Sequence, residues 1–391
     1  MLLSPDTSHH FELLRIIGHS YYGGADVQEC LQVASALTPG DDESWYREWH
    51  QLAERVQAAG DASLVRGHHR SASKAYLRAA TYHFAADFYL HGNPDDPRIL
   101  ASSRASRQSF MAASRGLDVE IDRVEIPFEG TTLPAYVMKR PGLVGRRPTL
   151  VCHSGFDGTK EEIAIWPGMA AAERGYVVLV FEGPGQGEVV REQRLTFRAD
   201  WHNVVSPVID YAVGRDDVDA AKIALMGISL GGLLAPLAAA HEHRLRALIA
   251  NGGLYSFYEI VRGRYPAELP EKGVLEAGLR EAAKTNTTLR WSVNHGRFVF
   301  GYSDLPDYLE RLKAFEATNA DQIRCATLVL DAELEGFFAG QPQKLYDRLS
   351  CPKTLMNFTI EEAAGAHCQA GAEGVGAQKI FDWLDETMQV T

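Results

Sequence analysis

The chemistry of this chain is most visible where a serine stands between two glycines, in Gly227-Ile-Ser229-Leu-Gly231. The apolar run Ile223-Ala-Leu-Met226 before it predicts a strand buried on both faces, and Leu230 onward suits a helix packed against that strand. A strand that turns so abruptly into a helix leaves no room for side chains two residues either side of the turn, and glycine meets that demand at both places. The serine hydroxyl then projects from the sheet, and the amides opening the helix point to where a carbonyl oxygen would gain charge. A glycine-rich turn with an idle serine is the plainer alternative. The strand before and the helix after favour a nucleophile.

A serine hydroxyl attacks only when a base takes its proton and an acid orients that base. On a strand–turn–helix of this kind the three follow one another as serine, acid, histidine. Of 14 histidines, His367 lies in a loop of small residues, Ala363-Ala-Gly-Ala366, after the last predicted strand. The acid should leave the end of the strand Ala326–Leu330, where Asp331, Glu333 and Glu335 follow. Hydrolases of this fold often carry His-Gly-x-x-Asp there, and aligned on that pattern Glu335 takes the acid's place, with Asp331 as its rival. An oxyanion needs two donors. The amide of Leu230 supplies one, and the loop after His153 should supply the other through Phe156. His153 and Asp157 are weaker candidates for touching substrate, and His153 would more simply shape its loop. The run Gly183-Pro-Gly-Gln-Gly187 lacks the lysine and spacing of a phosphate loop and is read as a tightly packed turn. No histidine and carboxylate group has zinc spacing, so neither metal nor cofactor is expected.

These residues need a frame. Residues 1 to about 117 read as helical: 11–18, 26–36, a helix from Asp42 that Gly60 should end, and 71–90. From 118 the period changes. A hairpin over 124–138 is followed by strands at 148–153, 176–181, 223–226, 245–250, 326–330 and 354–358. Helices are predicted at 161–174, 200–211 and 380–388. That alternation predicts a mostly parallel, doubly wound α/β sheet. Residues 254–322 show no strand pattern, which is where a lid would be inserted.

The whole chain, 391 residues with 46% apolar and 23% charged residues, has material for one large or two medium globular domains. A net charge of −12 argues against nucleic acid as a partner. Five scattered cysteines form no C-x-x-C pair. No basic segment leads into an apolar core at the N-terminus, and no apolar run reaches membrane-spanning length, so a cytoplasmic protein without a membrane partner is expected.

Four runs together resemble one branch of the α/β hydrolases: His153-Ser-Gly-Phe-Asp-Gly-Thr-Lys-Glu-Glu162, Phe181-Glu-Gly-Pro-Gly-Gln-Gly-Glu188, the serine turn, and Gly365-Ala-His-Cys-Gln369. This branch includes 2,6-dihydroxypseudooxynicotine hydrolase and the fungal pigment enzymes that shorten a polyketide naphthopyrone, with the fermentation/respiration switch protein more distant. The resemblance covers 118–390 clearly and the N-terminus more faintly. It implies a helical N-terminal cap and dimerisation domain (1–117), a catalytic domain (118–391) with a lid at 254–322, and a homodimer acting on a small molecule. It also implies cleavage of a carbon–carbon bond beside a ketone in an aromatic or polyketide substrate. Ser229 and His367 match the family's nucleophile and base, and Glu335 falls where many members carry aspartate. Ester or lactone hydrolysis, or elimination of an acyloxy group, would use the same triad. A binding protein with an unused serine turn is the alternative outside enzymology.

Overall fold

The computed structural model describes residues 2–390. Five helices come first: α1 (Thr7–Gly18), α2 (Val27–Ala36), α3 (Asp42–Val65), α4 (His69–Asp87) and α5 (Pro97–Ser114). Aspartates open four of them. The side chains of Asp6, Asp26, Asp41 and Asp96 accept hydrogen bonds from first-turn amides of α1, α2, α3 and α5, satisfying donors that a helix leaves free. α3 does not end at Gly60. The ring of Tyr76 on α4 comes so close that a Cβ on residue 60 would lie 2.9 Å from it, so this glycine serves the contact between helices and the helix runs on.

The chain then enters the sheet through β1 (Glu120–Phe128), β2 (Thr131–Lys139) and β3 (Arg147–His153). Residues 161–174 do not form the continuous helix their pattern suggests. α6 (Lys160–Ile163) and α7 (Met169–Glu173) are separated where Trp166 takes an extended backbone (φ −137°, ψ 121°). Pro167 follows it, and proline disfavours helical geometry in the residue before it. Next come β4 (Val177–Phe181), α8 (His202–Val213), β5 (Val218–Ile228), α9 (Gly231–Ala239) and β6 (Ala247–Asn251). The segment without strand pattern is helical: α10 (Phe257–Arg262), α11 (Lys272–Ala283), α12 (Thr287–Phe300) and α13 (Leu305–Leu312). β7 (Ala326–Ala332), α14 (Gln341–Arg348), β8 (Lys353–Phe358) and α15 (Glu373–Met388) complete the chain.

The eight strands lie in the order β1-β2-β4-β3-β5-β6-β7-β8. The β1–β2 and β2–β4 pairs are antiparallel, and every other pair is parallel. β5 is central: its Leu225 lies between Val151 of β3 and Leu248 of β6. Helices cover both faces, which is why the inner strands read as unbroken apolar runs. Val204 and Val208 of α8 and Leu233 of α9 pack on one face. On the other, Ile380 and Phe381 of α15 meet Met226 and Ile249, joined by Leu77 of α4 and Phe110 of α5. The N-terminal helices therefore share a core with the sheet, besides a core of their own around Trp45, Trp49 and Tyr82.

They are also tied to the inserted helices. Arg290 of α12 donates to Asp42 at 2.7 and 2.9 Å and to the carbonyl of Gly40, and Thr287 donates to Asp6. Among the described residues no helix is long and apolar enough to cross a membrane.

Candidate active site

Ser229 follows β5 with φ +61°, a left-handed backbone that costs energy for a residue with a side chain. Its neighbours make the turn possible. A Cβ on Gly227 would lie 2.0 Å from the carbonyl oxygen of Gly231. The Ser229 amide donates to the carbonyl of Asn251 on β6 at 2.8 Å, which fixes the turn to the sheet.

The loop after β8 brings His367 to this serine, with Nε2 3.0 Å from Ser229 Oγ. On the far side of the ring, Nδ1 lies 2.5 Å from Glu335 Oε2, in the loop after β7. In the neutral ring the carboxylate accepts the Nδ1 proton, and the Nε2 lone pair is then left for the serine hydroxyl. Glu335 Oε1 accepts from the amides of Phe337 and Phe338 at 2.8 and 3.0 Å. Burial works against this carboxylate, but His367 and those amides outweigh it and hold it below the usual carboxylate range. For His367 burial opposes the imidazolium, while Cys368 and Glu335 favour it and raise the ring above the ordinary histidine value. The Cys368 thiol, 3.3 Å from Nε2, is a neighbour that the pattern of the sequence did not single out. The rings of Phe337 and Phe338 enclose the imidazole, with centroids 5.0 and 5.2 Å away.

The rival acid is elsewhere. Asp331 is still within β7, paired with Asn357, and its carboxylate accepts from the amide of Ala332 at 2.8 Å. Burial pushes its pKa up.

Glycine at residue 155 lets the loop that carries Phe156 run close against the start of α9. A Cβ there would come within 2.5 Å of the Leu230 amide nitrogen. Among the described residues neither the Phe156 nor the Leu230 amide donates to a protein acceptor, and both residues line the cavity with Ser229. Gln186, within the glycine-rich run, holds this loop in place. Its amide donates to the carbonyls of Ser154 (2.6 Å) and Gly155 (3.4 Å), and its oxygen accepts from the amide of Gly183. His295 of α12 donates from Nε2 to the Phe156 carbonyl at 2.8 Å. Burial lowers its pKa to about 4, so it is neutral.

His153 does not reach the cavity. It is fully buried, receives the Trp201 indole N–H at Nε2 (3.3 Å), lies 2.8 Å from the Ser154 carbonyl through Nδ1, and burial lowers its pKa to about 4. Its role is to shape the loop. Asp157 does line the cavity and accepts from Arg15 at 3.2 Å.

The cavity above Ser229 measures about 420 Å³, within the range of small-molecule sites. Its walls include many aromatic rings, with Phe257, Trp291, Tyr302 and Tyr308 from the inserted segment and Phe11 from α1. Polar groups of α1 and of the residue after it enter it too: Glu12, Arg15 and His19. Their spacing of three and four places a charged stripe on one face of a helix whose Leu13 and Ile16 are buried, and that stripe was the available signal in the sequence.

One group among the described residues has the make-up to hold a cation. Ligand atoms of His50, Glu54 and His83 lie within 4.8 Å of one another on α3 and α4, and none of the three lines the Ser229 cavity. Spacing along the chain missed it because His83 comes from a second helix.

The model of the prolyl oligopeptidase family matches residues 164–275. Hydrolase LUC6 of a Fusarium species is 34% identical over 99% of this chain and 98% of its own length. The 20-hydroxy-prefusarin hydrolase FUS2 of Gibberella moniliformis is 33% identical over 97% of this chain and 96% of its own. Among solved structures, the 2,6-dihydroxy-pseudo-oxynicotine hydrolase covers 95% of both chains at 22% identity with a TM-score of 0.74, a likeness of fold.

Proposed function

The chain belongs to the family of fungal α/β hydrolases that includes LUC6 and FUS2, and on that premise we propose that it is a serine hydrolase cleaving a carbon–carbon bond beside a ketone in an aromatic or polyketide-type substrate. The observation that carries this reading is the Ser229–His367–Glu335 hydrogen-bonded series opening into an aromatic cavity of about 420 Å³. A planar, carbonyl-rich molecule fills such a space with little loss of conformational entropy, and the surrounding rings exclude water from the reacting centre.

In the proposed reaction Ser229 Oγ attacks the ketone carbon while His367 Nε2 takes the hydroxyl proton. The new oxyanion accepts from the amides of Phe156 and Leu230. The carbon–carbon bond then breaks, its electron pair leaving as an enolate or phenolate, and His367 returns the proton to it. Water, deprotonated by His367, hydrolyses the acyl-serine and regenerates the hydroxyl. Glu335 stays ionised throughout and stabilises the imidazolium. The N-terminal helices and the 254–322 segment act as cap and lid over this centre.

The test uses 1-phenylbutane-1,3-dione in water enriched in ¹⁸O. The proposal predicts a carboxylic acid carrying one ¹⁸O from solvent together with a methyl ketone, and an acyl adduct on the Ser229 peptide after acid quench. Hydrolysis of phenyl acetate with no cleavage of the diketone would contradict it and identify an esterase.

A further inference from the structure

Four carboxyl groups and two cations meet at the α1 end of the cavity. Arg15 gives Nε and Nη2 to Glu162 at 2.6 Å each, and its Nη1 is shared at 3.2 Å by Glu12 and Asp157. His19 lies between Glu162 (3.3 Å) and Glu373 (2.5 Å). Glu162 and Glu373 are matched by these two cations, and Asp157 and Glu12 are left with the two N–H bonds of Nη1, so that four carboxyl groups face two positive charges. Glu12 is the least well served. Its Oε2 has that single shared contact, its Oε1 has no protein partner among the described residues, and the residue is buried while lining the cavity.

We propose that the Glu12 carboxyl is the hydrogen-bond donor of a substrate subsite, taking a carbonyl or enol oxygen of an uncharged, planar aromatic ligand whose reacting ketone lies at Ser229. This deepens the proposed function and rests on it. Burial, together with Asp157 and Glu162, drives the Glu12 pKa up to about 8 against the pull of Arg15, so at neutral pH the group carries its proton. An O–H facing the cavity needs an acceptor, and no described residue accepts from Glu12. An oxygen that gains negative charge as a neighbouring carbon–carbon bond breaks is the acceptor that strengthens such a bond most. A carboxylate-bearing ligand would meet Asp157 and Glu162 instead and be rejected.

The groups facing Glu12 are Arg15 on its own helix, Asp157 in the loop after β3, Glu162 on α6, and Tyr89, whose hydroxyl burial keeps neutral. His19, held up at about 9 by Glu373 and Glu162 against burial, acts through Glu162. Glu12, at about 8, and His19, at about 9, both lose a proton as pH rises through that range, and the Glu12→Gln variant separates them.

The experiment is calorimetric binding of chromone, a planar pyranone that is not expected to react, and of 4H-chromene, which lacks the carbonyl, to the full-length protein. At pH 6.5 chromone should bind at least tenfold more tightly than 4H-chromene. Glu12→Ala should reduce that preference below threefold, and Glu12→Gln, which keeps a donor, should retain most of it. In the wild type the preference should decay as pH rises through about 8, and in Glu12→Gln it should persist there. The wild-type pH series decides the matter if Glu12→Ala does not fold. An unchanged preference in Glu12→Ala, a wild-type preference constant to pH 9, or no binding of chromone overturns the proposal. Failure of Ser229 to react with a fluorophosphonate would refute the nucleophile and leave this measurement standing.

Discussion

Replacing Glu335 by glutamine exchanges one heavy atom, a carboxylate oxygen for an amide nitrogen, and should stop the enzyme. The reason lies in which oxygen is already committed. Oε1 accepts from two backbone amides, Phe337 and Phe338, so in the variant the amide oxygen must occupy that position to keep both donors satisfied. The NH₂ group then faces His367 Nδ1, where Oε2 stood at 2.5 Å. It can only donate, so the imidazole must carry its proton on Nε2, and that nitrogen can no longer accept from Ser229. The opposite flip sets NH₂ against two N–H groups and costs more. The wrong tautomer and the lost stabilisation of the imidazolium together predict a fall of about 10⁴ in kcat, about 5 kcal/mol in the barrier. Asp331→Asn, whose carboxylate meets only the Ala332 amide, should change kcat less than threefold. Steady-state hydrolysis of p-nitrophenyl acetate measures both, with melting temperatures as the check on folding. A Glu335→Gln enzyme within tenfold of wild type, or a larger loss in Asp331→Asn, refutes this assignment.

Gln186→Leu, by releasing the Ser154 and Gly155 carbonyls, should lower kcat about 10²-fold with little change in KM, and an equal loss in thermal stability and none in kcat would make Gln186 purely structural. His19 has a raised folded pKa, about 9 against an ordinary 6.5, so the stability it contributes is complete below pH 6.5 and lost as pH rises through 9. That loss, about 3 kcal/mol by linkage, should shrink in calorimetric melting curves of His19→Gln, and an unchanged alkaline limb would contradict it. Glu162 has the opposite sign: depressed to about 2 from 4.5, it supports the fold above pH 4.5 and ceases to as pH falls toward 2, sharing rather than doubling the His19 contribution. Deleting residues 1–117 should yield an aggregating chain with no turnover, because Leu77 and Phe110 share a core with Tyr136 and Met138 of β2; a soluble, active truncation would show that this core is dispensable.

What was legible in the sequence was whatever local sterics or burial on both faces dictates. The serine turn could be read because two missing side chains are its whole requirement, and the inner strands because few polar residues fit between helices on both sides. Gly60 shows the limit. A glycine demanded by a tyrosine ring from another helix looks the same, in one dimension, as a glycine that ends a helix. The acid remained open between Asp331 and Glu335 because the choice depends on how far β7 extends, and Ala332 is still paired with Phe358. The α1 contribution was hidden for a different reason. Arg15 meets Glu162 across 147 positions, and the Glu12–Arg15–His19 stripe gains meaning only from carboxylates supplied by the sheet domain.

The central claim is that Ser229 is a nucleophile activated by His367. Incubating the full-length protein with a fluorophosphonate and mapping the adduct by peptide mass spectrometry tests it most directly. One stoichiometric adduct should form on Ser229, faster as pH rises and His367 loses its proton, and none in Ser229→Ala and His367→Ala variants that remain folded. An adduct elsewhere, or a Ser229→Ala protein that still turns over substrate, would contradict it.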